Sequence, residues 1–167
     1  MACMSITKEH YIAAAHRLML HPGKCRFLHG HNYKIVYHLY AKNFNPLGKE
    51  EHRRGMILDF NIVKEKILLP IENTFDHKTI LQDVDPLVDI LEKHGVLVQK
   101  LPSAPTAENL AGTILTLVNR ECLREFNGEV QCSRVEVWET PTSMAFCEQT
   151  HMDEFTLHDN KEENNGE

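Results

Sequence analysis

At 167 residues, with 42% hydrophobic and 25% charged side chains, the chain has the size of one globular domain and the composition of an ordinary soluble protein. A formal charge of -6, with no Lys/Arg stripe interleaved with aromatics, speaks against broad nucleic-acid binding, and charge breaks every apolar run well short of membrane-spanning length. Five cysteines at unpaired spacings speak against a disulfide framework, and Lys8, Glu9 and Arg17 interrupt any secretory signal, so reduced thiols and a cytoplasmic protein are expected.

Between Ile6 and Leu20, and again between His31 and Lys42, β-branched and aromatic residues predominate, and the region around Gly23 reads as the turn between two antiparallel strands. The polar stretch 43–54 contains Pro46 and Gly48 and leads to Met56-Ile57-Leu58, a short apolar run that reads as a further strand. Asp59 has the side chain of a helix cap, and Phe60, Val63 and Ile67 recur at helical spacing. Pro70 is expected to end or kink that helix close to Phe75-Asp76-His77. Asp85, Pro86 and Gly95 mark the N-cap, first position and stop of a short connecting helix.

Thr106 opens the strongest helix. Its residues Leu110, Ile114, Leu117 and Val118 form one apolar stripe, and Glu108 lies in the first turn, where the helix dipole favours a carboxylate. Val135 and Val137 alternate with Arg134 and Glu136 in a strand, which Thr140-Pro141-Thr142-Ser143 turns back into Met144 to Cys147. The polar, acidic end 159–167 predicts a disordered tail and leaves 1–158 as a single domain. Strands, then helices, then strands predict an α+β fold, an antiparallel sheet with helices on one face.

Eleven histidines are a large number for this length. In His29-Gly30-His31 two imidazoles stand two residues apart, which on an extended strand points both to one face, with Gly30 leaving room for close approach. His16, on the preceding strand, can reach that face across the hairpin and complete a three-nitrogen set that leaves a zinc ion one open position. A surface hairpin feature is the competing reading of the spacing. Cys25 is open to two roles, as a fourth ligand closing a structural site or as a thiol activated beside a cation to act as a base. His10, His21, His38, His52, His94, His151 and His158 lack a paired geometry and read as surface or internally satisfied side chains.

Six blocks, in order, resemble the 6-pyruvoyl-tetrahydropterin synthase family. They are Ala14-Ala15-His16-Arg17-Leu18, Cys25 through Tyr33 with its His29-Gly30-His31, Met56 to Phe60, Phe75-Asp76-His77, Pro105 to Asn109, and Val135 to Thr140. The resemblance implies a tunnelling fold, a four-stranded antiparallel sheet with helices on one side, assembled as a homo-oligomer around a pore with active sites between subunits. It implies Zn2+ on His16, His29 and His31, Cys25 as proton acceptor, His77 with Asp76 as proton relay, and Glu139 as the anchor of the pterin ring. A carboxylate suits that last role because it can accept an amidine-like N–H pair in bidentate fashion. Thr106 and Glu108 are candidate pterin contacts, although a helix cap explains both equally well.

The three residues between Cys25 and His29, and the run Glu139 to Ser143, resemble the bacterial queuosine-pathway branch of the family. The implied reaction is a lyase reaction that converts 7,8-dihydroneopterin triphosphate to 6-carboxytetrahydropterin, acetaldehyde and triphosphate. Two alternatives stay open: formation of 6-pyruvoyl-tetrahydropterin without carbon–carbon cleavage, and a non-catalytic zinc-binding assembly protein of the same fold. The charged Lys49 to Arg54 insertion and the acidic tail depart from the family pattern without touching a motif position. Lys24, Arg26 and Lys34 lie near the motif but read as solvated surface charge rather than triphosphate ligands.

Overall fold

Strands β1 (Ser5–His16) and β2 (His29–Ala41) form a continuous antiparallel ladder, from Ser5 opposite Tyr40 to His16 opposite His29. The computed structural model describes residues 4–42 and 55–149, so the Lys49 to Arg54 insertion and the predicted tail lie outside the described residues. β2 pairs on its far side with β5 (Val130–Thr140), and β5 with β6 (Ser143–Glu148), both antiparallel.

The expected four-stranded antiparallel sheet is incomplete. On the other flank of β1 lie β3 (Thr79–Gln82) and β4 (Val98–Leu101), both parallel, giving a mixed six-stranded sheet of order β4-β3-β1-β2-β5-β6. Each of these strands has four residues, too few for an alternation to show in the sequence.

One face of the sheet is apolar because alternate side chains share a face. Ile12, Tyr33, Ile35, Tyr37, Leu39, Val135 and Val137 are buried there against Ile114, Val118 and Cys122 of helix α4 (Ala107–Phe126). The alternate residues of β2 and β5 carry charge and aromatic surface instead. His38 pairs with Glu136 at 3.2 Å, the Trp138 Nε1–H donates to Glu136 at 3.0 Å, and Lys34 lies 4.3 Å over the Trp138 ring. His38 is thus a satisfied surface histidine, as its lack of paired spacing suggested.

Met56-Ile57-Leu58 does not form the expected strand. It is an irregular lead-in whose Leu58 is buried and whose end is fixed by Asp59, which accepts the Asn61 N–H at 2.7 Å and starts α1 (Phe60–Val63). Nor does Pro70 end the helix. The chain passes from α1 through a π-helical stretch (Lys64–Leu68) into α2 (Leu69–Phe75). A proline ring collides with the carbonyl four residues earlier and supplies no N–H, and the wider π turn directly before it accommodates both defects. A short α3 (Leu87–Lys93) links β3 to β4 and stops at Gly95, where φ is +76°. No helix among the described residues is long and apolar enough to cross a membrane.

Candidate metal centre and active site

His16 closes β1 and His29 opens β2, so their register sets them side by side, while His31 stands opposite Ala14. Opposed residues of an antiparallel pair share a face, and a spacing of two returns His31 to it. The three side chains offer ligand atoms that all lie within 4.8 Å of one another. Gly30 makes this approach possible, because a Cβ there would stand 3.0 Å from the Ala14 carbonyl oxygen.

Two backbone carbonyls decide which nitrogens face inward. His16 Nδ1 donates to the Pro105 carbonyl at 2.8 Å, and His29 Nδ1 to the Phe27 carbonyl at 2.7 Å. In its neutral form each ring is thereby held in the tautomer whose Nε2 carries a lone pair. The two Nε2 atoms are 3.1 Å apart. Facing lone pairs at that separation repel unless a positive charge sits between them, and a tetrahedral ion with bonds of about 2.0–2.1 Å sets its nitrogens roughly 3.3 Å apart. The donor set therefore fits a divalent cation. Burial holds His16 below its ordinary imidazole value despite the Pro105 bond and the Glu139 charge, which favours the neutral, ligating form.

Glu139 continues the inward face of β5 beyond Val137 and brings Oε1 to 3.8 Å from His16 Nε2. Tyr33 packs edge-on against His16 and His31, with ring centroids 5.7 and 5.3 Å away, and backs the cluster from the core side. Cys25 sits half-buried on a 3-10 turn (Lys24–Arg26) in the β1–β2 connection, and its thiol is not one of the three grouped ligands.

The Asp76-His77 pair is strapped to β1. Asp76 Oδ1 accepts the Ala13 N–H and the His77 N–H donates to the Ala13 carbonyl, both at 2.7 Å, and Asp76 Oδ2 accepts from His77 Nδ1 at 2.5 Å. Partial burial opposes ionisation of Asp76, but the Ala13 N–H and the His77 ring outweigh it and hold the carboxyl below the usual range. The His77 side chain is 81% exposed and lines a shallow groove with Ala13, Ala15, Gly30, His31 and Asn32, so the pair borders the histidine cluster on the His31 side. Among the described residues no hydrogen bond or ion pair joins it to Cys25 or to the three imidazoles.

A family model for 6-pyruvoyl tetrahydropterin synthase matches residues 5–150. The chain belongs to this family. Relatives named 6-carboxy-5,6,7,8-tetrahydropterin synthase include one from Haemophilus influenzae, 31% identical over 86% of this chain and 96% of its own length. Another, from Rickettsia bellii, is 34% identical over 77% of this chain and 88% of its own. The fold matches an uncharacterised Wolinella succinogenes protein at a TM-score of 0.70 and 24% identity, covering 89% of this chain and 99% of that one. It also matches Plasmodium vivax 6-pyruvoyltetrahydropterin synthase at 0.64 and 20%, covering 89% and 98%.

Two family-motif residues have structural duties here. The Thr106 hydroxyl accepts the Asn109 N–H at 3.3 Å and caps α4, and Glu108 is exposed in its first turn. Other contributors are not apparent from the motifs. The Pro105 carbonyl has no side-chain signature at all. Asp85, read from sequence only as a helix cap, is 3% exposed and receives both arms of the Arg17 fork, Nε at 2.7 Å, besides the Leu87 N–H at 2.8 Å. The signal available was Arg17 itself, a fixed charge next to His16 that needs a partner.

Proposed function

We propose that the chain is a zinc-dependent 6-carboxy-5,6,7,8-tetrahydropterin synthase of the queuosine pathway, acting on 7,8-dihydroneopterin triphosphate. The observation that carries this reading is the pair of inward-facing Nε2 atoms 3.1 Å apart, with the Glu139 carboxylate alongside. The carboxy-forming branch is supported by the names of the Haemophilus and Rickettsia relatives and by the Cys25 to His29 spacing.

His16, His29 and His31 would hold the zinc, and three neutral ligands leave the ion its full charge to stabilise negative charge developing on the substrate. Glu139 accepts the ring N–H pair of the pterin and so fixes the side chain relative to the imidazoles. Cys25 takes a proton from that side chain. Asp76 occupies His77 Nδ1, which leaves Nε2 free to carry a proton to or from a substrate oxygen. Triphosphate leaves by elimination; a water then adds to the side-chain carbonyl carbon next to the ring, and cleavage of the adjacent carbon–carbon bond leaves that carbon as the carboxylate and releases the other two, with a proton, as acetaldehyde. Thr106 and Glu108 lie on the helix that follows the Pro105 carbonyl and are candidates for further pterin contact. The exposure of His77 supports a site completed by a second copy of the chain in a homo-oligomer.

Incubating the zinc-loaded protein with 7,8-dihydroneopterin triphosphate and identifying every product tests the reading. The expected products are 6-carboxytetrahydropterin, acetaldehyde and triphosphate in equal amounts. Release of 6-pyruvoyl-tetrahydropterin without acetaldehyde overturns the carboxy assignment, and tight zinc binding with no turnover overturns the enzyme.

A further inference from the structure

The connection 17–28 between β1 and β2 carries Cys25, yet it is bonded almost entirely to itself. Leu18 N–H donates to the Cys25 carbonyl at 2.8 Å, His21 N–H to Leu18, Arg26 N–H to Gly23 and Phe27 N–H to Lys24. Little of it is buried: Leu20 is 88% and Phe27 66% exposed. Among the described residues, one side-chain link ties this connection to an element beyond its own two strands, the fork of Arg17 on Asp85.

Asp85 is a rigid post. Its N–H donates to the Gln82 carbonyl at 2.9 Å at the end of β3, its own carbonyl accepts from Val88, and its carboxylate also accepts from Leu87. β3 in turn is laddered to β1, with His16 opposite Ile80. The planar guanidinium fixes both the distance and the direction of the link, which a lysine ammonium cannot do. The imidazoles have holds of their own: the β1–β2 ladder fixes the backbone of all three and the Pro105 carbonyl holds the His16 ring, so that only the His29 ring, through the Phe27 carbonyl, reaches back into the connection.

We infer that Arg17 and Asp85 are a positioning pair for Cys25, holding the thiol in register with the imidazole cluster through the Leu18–Cys25 backbone bond. This rests on Cys25 being the base of the proposed reaction. The pair acts on the proton-abstraction step, while the β1–β2 ladder and Pro105 keep the imidazole cluster in place. Misplacing a base by about 1 Å costs on the order of a hundredfold in rate.

Two measurements on the zinc-loaded full chain test this, with Arg17→Lys and Asp85→Asn, the latter keeping an oxygen that can cap Leu87. Amide hydrogen exchange is expected to quicken across residues 18–28 while β1, β2 and α4 keep their protection. Unaltered exchange at the Leu18 amide, or a loss of protection spread over the whole sheet, overturns the inference whether or not the protein turns over a pterin. In turnover, Arg17→Lys is expected to lower kcat about a hundredfold with KM little changed, and to have almost no further effect in a Cys25→Ala background. Equal losses in the two backgrounds overturn it. A wild-type chain that is inert toward dihydroneopterin triphosphate sinks the functional reading instead, and the exchange result still decides whether the anchor exists.

Discussion

Gly30 is where one atom matters most. A methyl carbon at this position would stand 3.0 Å from the Ala14 carbonyl oxygen, so Gly30→Ala must push β1 and β2 apart at the point where their histidines converge. Overpacking of this kind costs about 1–3 kcal/mol, and the variant is expected to lose zinc at chelator concentrations that the wild type withstands. His29→Ala and His31→Ala should lose it too; full zinc content in either after chelator dialysis would remove these residues from the centre. Glu139→Gln should fold and retain metal but bind the pterin weakly, since an amide cannot offer two anionic acceptors, and unchanged affinity in a fluorescence titration would exclude it. Acid has a defined sign at His16. Burial keeps its folded-state value below the ordinary 6.5, so above that pH the folded and unfolded chains hold the same proton count there. Below it the unfolded chain gains a proton that the folded chain refuses. The unfolding midpoint of zinc-free protein should therefore fall between about pH 7 and pH 5, and a flat profile would contradict the burial-driven shift.

Among the elements, β1, β2 and α4 were legible because they are long and periodic. Period two and antiparallel pairing were enough to bring His16, His29 and His31 to one face, whereas spacing left a surface hairpin open and only the family resemblance gave them and Glu139 a role. β3 and β4 were not, since four residues carry no period and parallel pairing has no local turn to announce it. Met56 to Leu58 misled because an apolar triplet that packs as a lead-in has the same composition as one that pairs as a strand. The Asp59 cap was legible from its type and place; Asp59→Ala should cost about 1 kcal/mol, read as a shift in denaturant midpoint. Asp85 shows the limit of such local reading, because its partner Arg17 lies 68 residues away. The Arg17 hydrogen bonds hold its carboxyl below the usual range, burial opposing, so their stabilisation is complete above about pH 4 and is lost as acid protonates it. Asp85→Ala, which leaves the guanidinium without its partner, should destabilise by about 3 kcal/mol in urea unfolding at neutral pH.

For the whole molecule, the site residues divide between a cluster at the end of the β1–β2 ladder, in which His16 is buried and His29 and His31 are half-buried, and the Asp76-His77 pair with its exposed imidazole. If a second copy joins the two, turnover per chain should fall as dilution dissociates the oligomer while zinc per chain stays constant; undiminished specific activity in chains that sediment as monomers would place the whole reaction within one chain. The tautomer-fixing bond from His16 to Pro105 has a consequence for biosynthesis. All three imidazoles have been made by residue 31, whereas the carbonyl that turns His16 Nε2 toward its neighbours is 89 residues downstream of that histidine. A nascent hairpin thus emerges from the ribosome with its ligands present but one ring free to choose either tautomer. If the three imidazoles hold a metal, docking of the segment leading into α4 completes the donor set, and a chain interrupted before Pro105 should leave the ribosome without a firmly held ion.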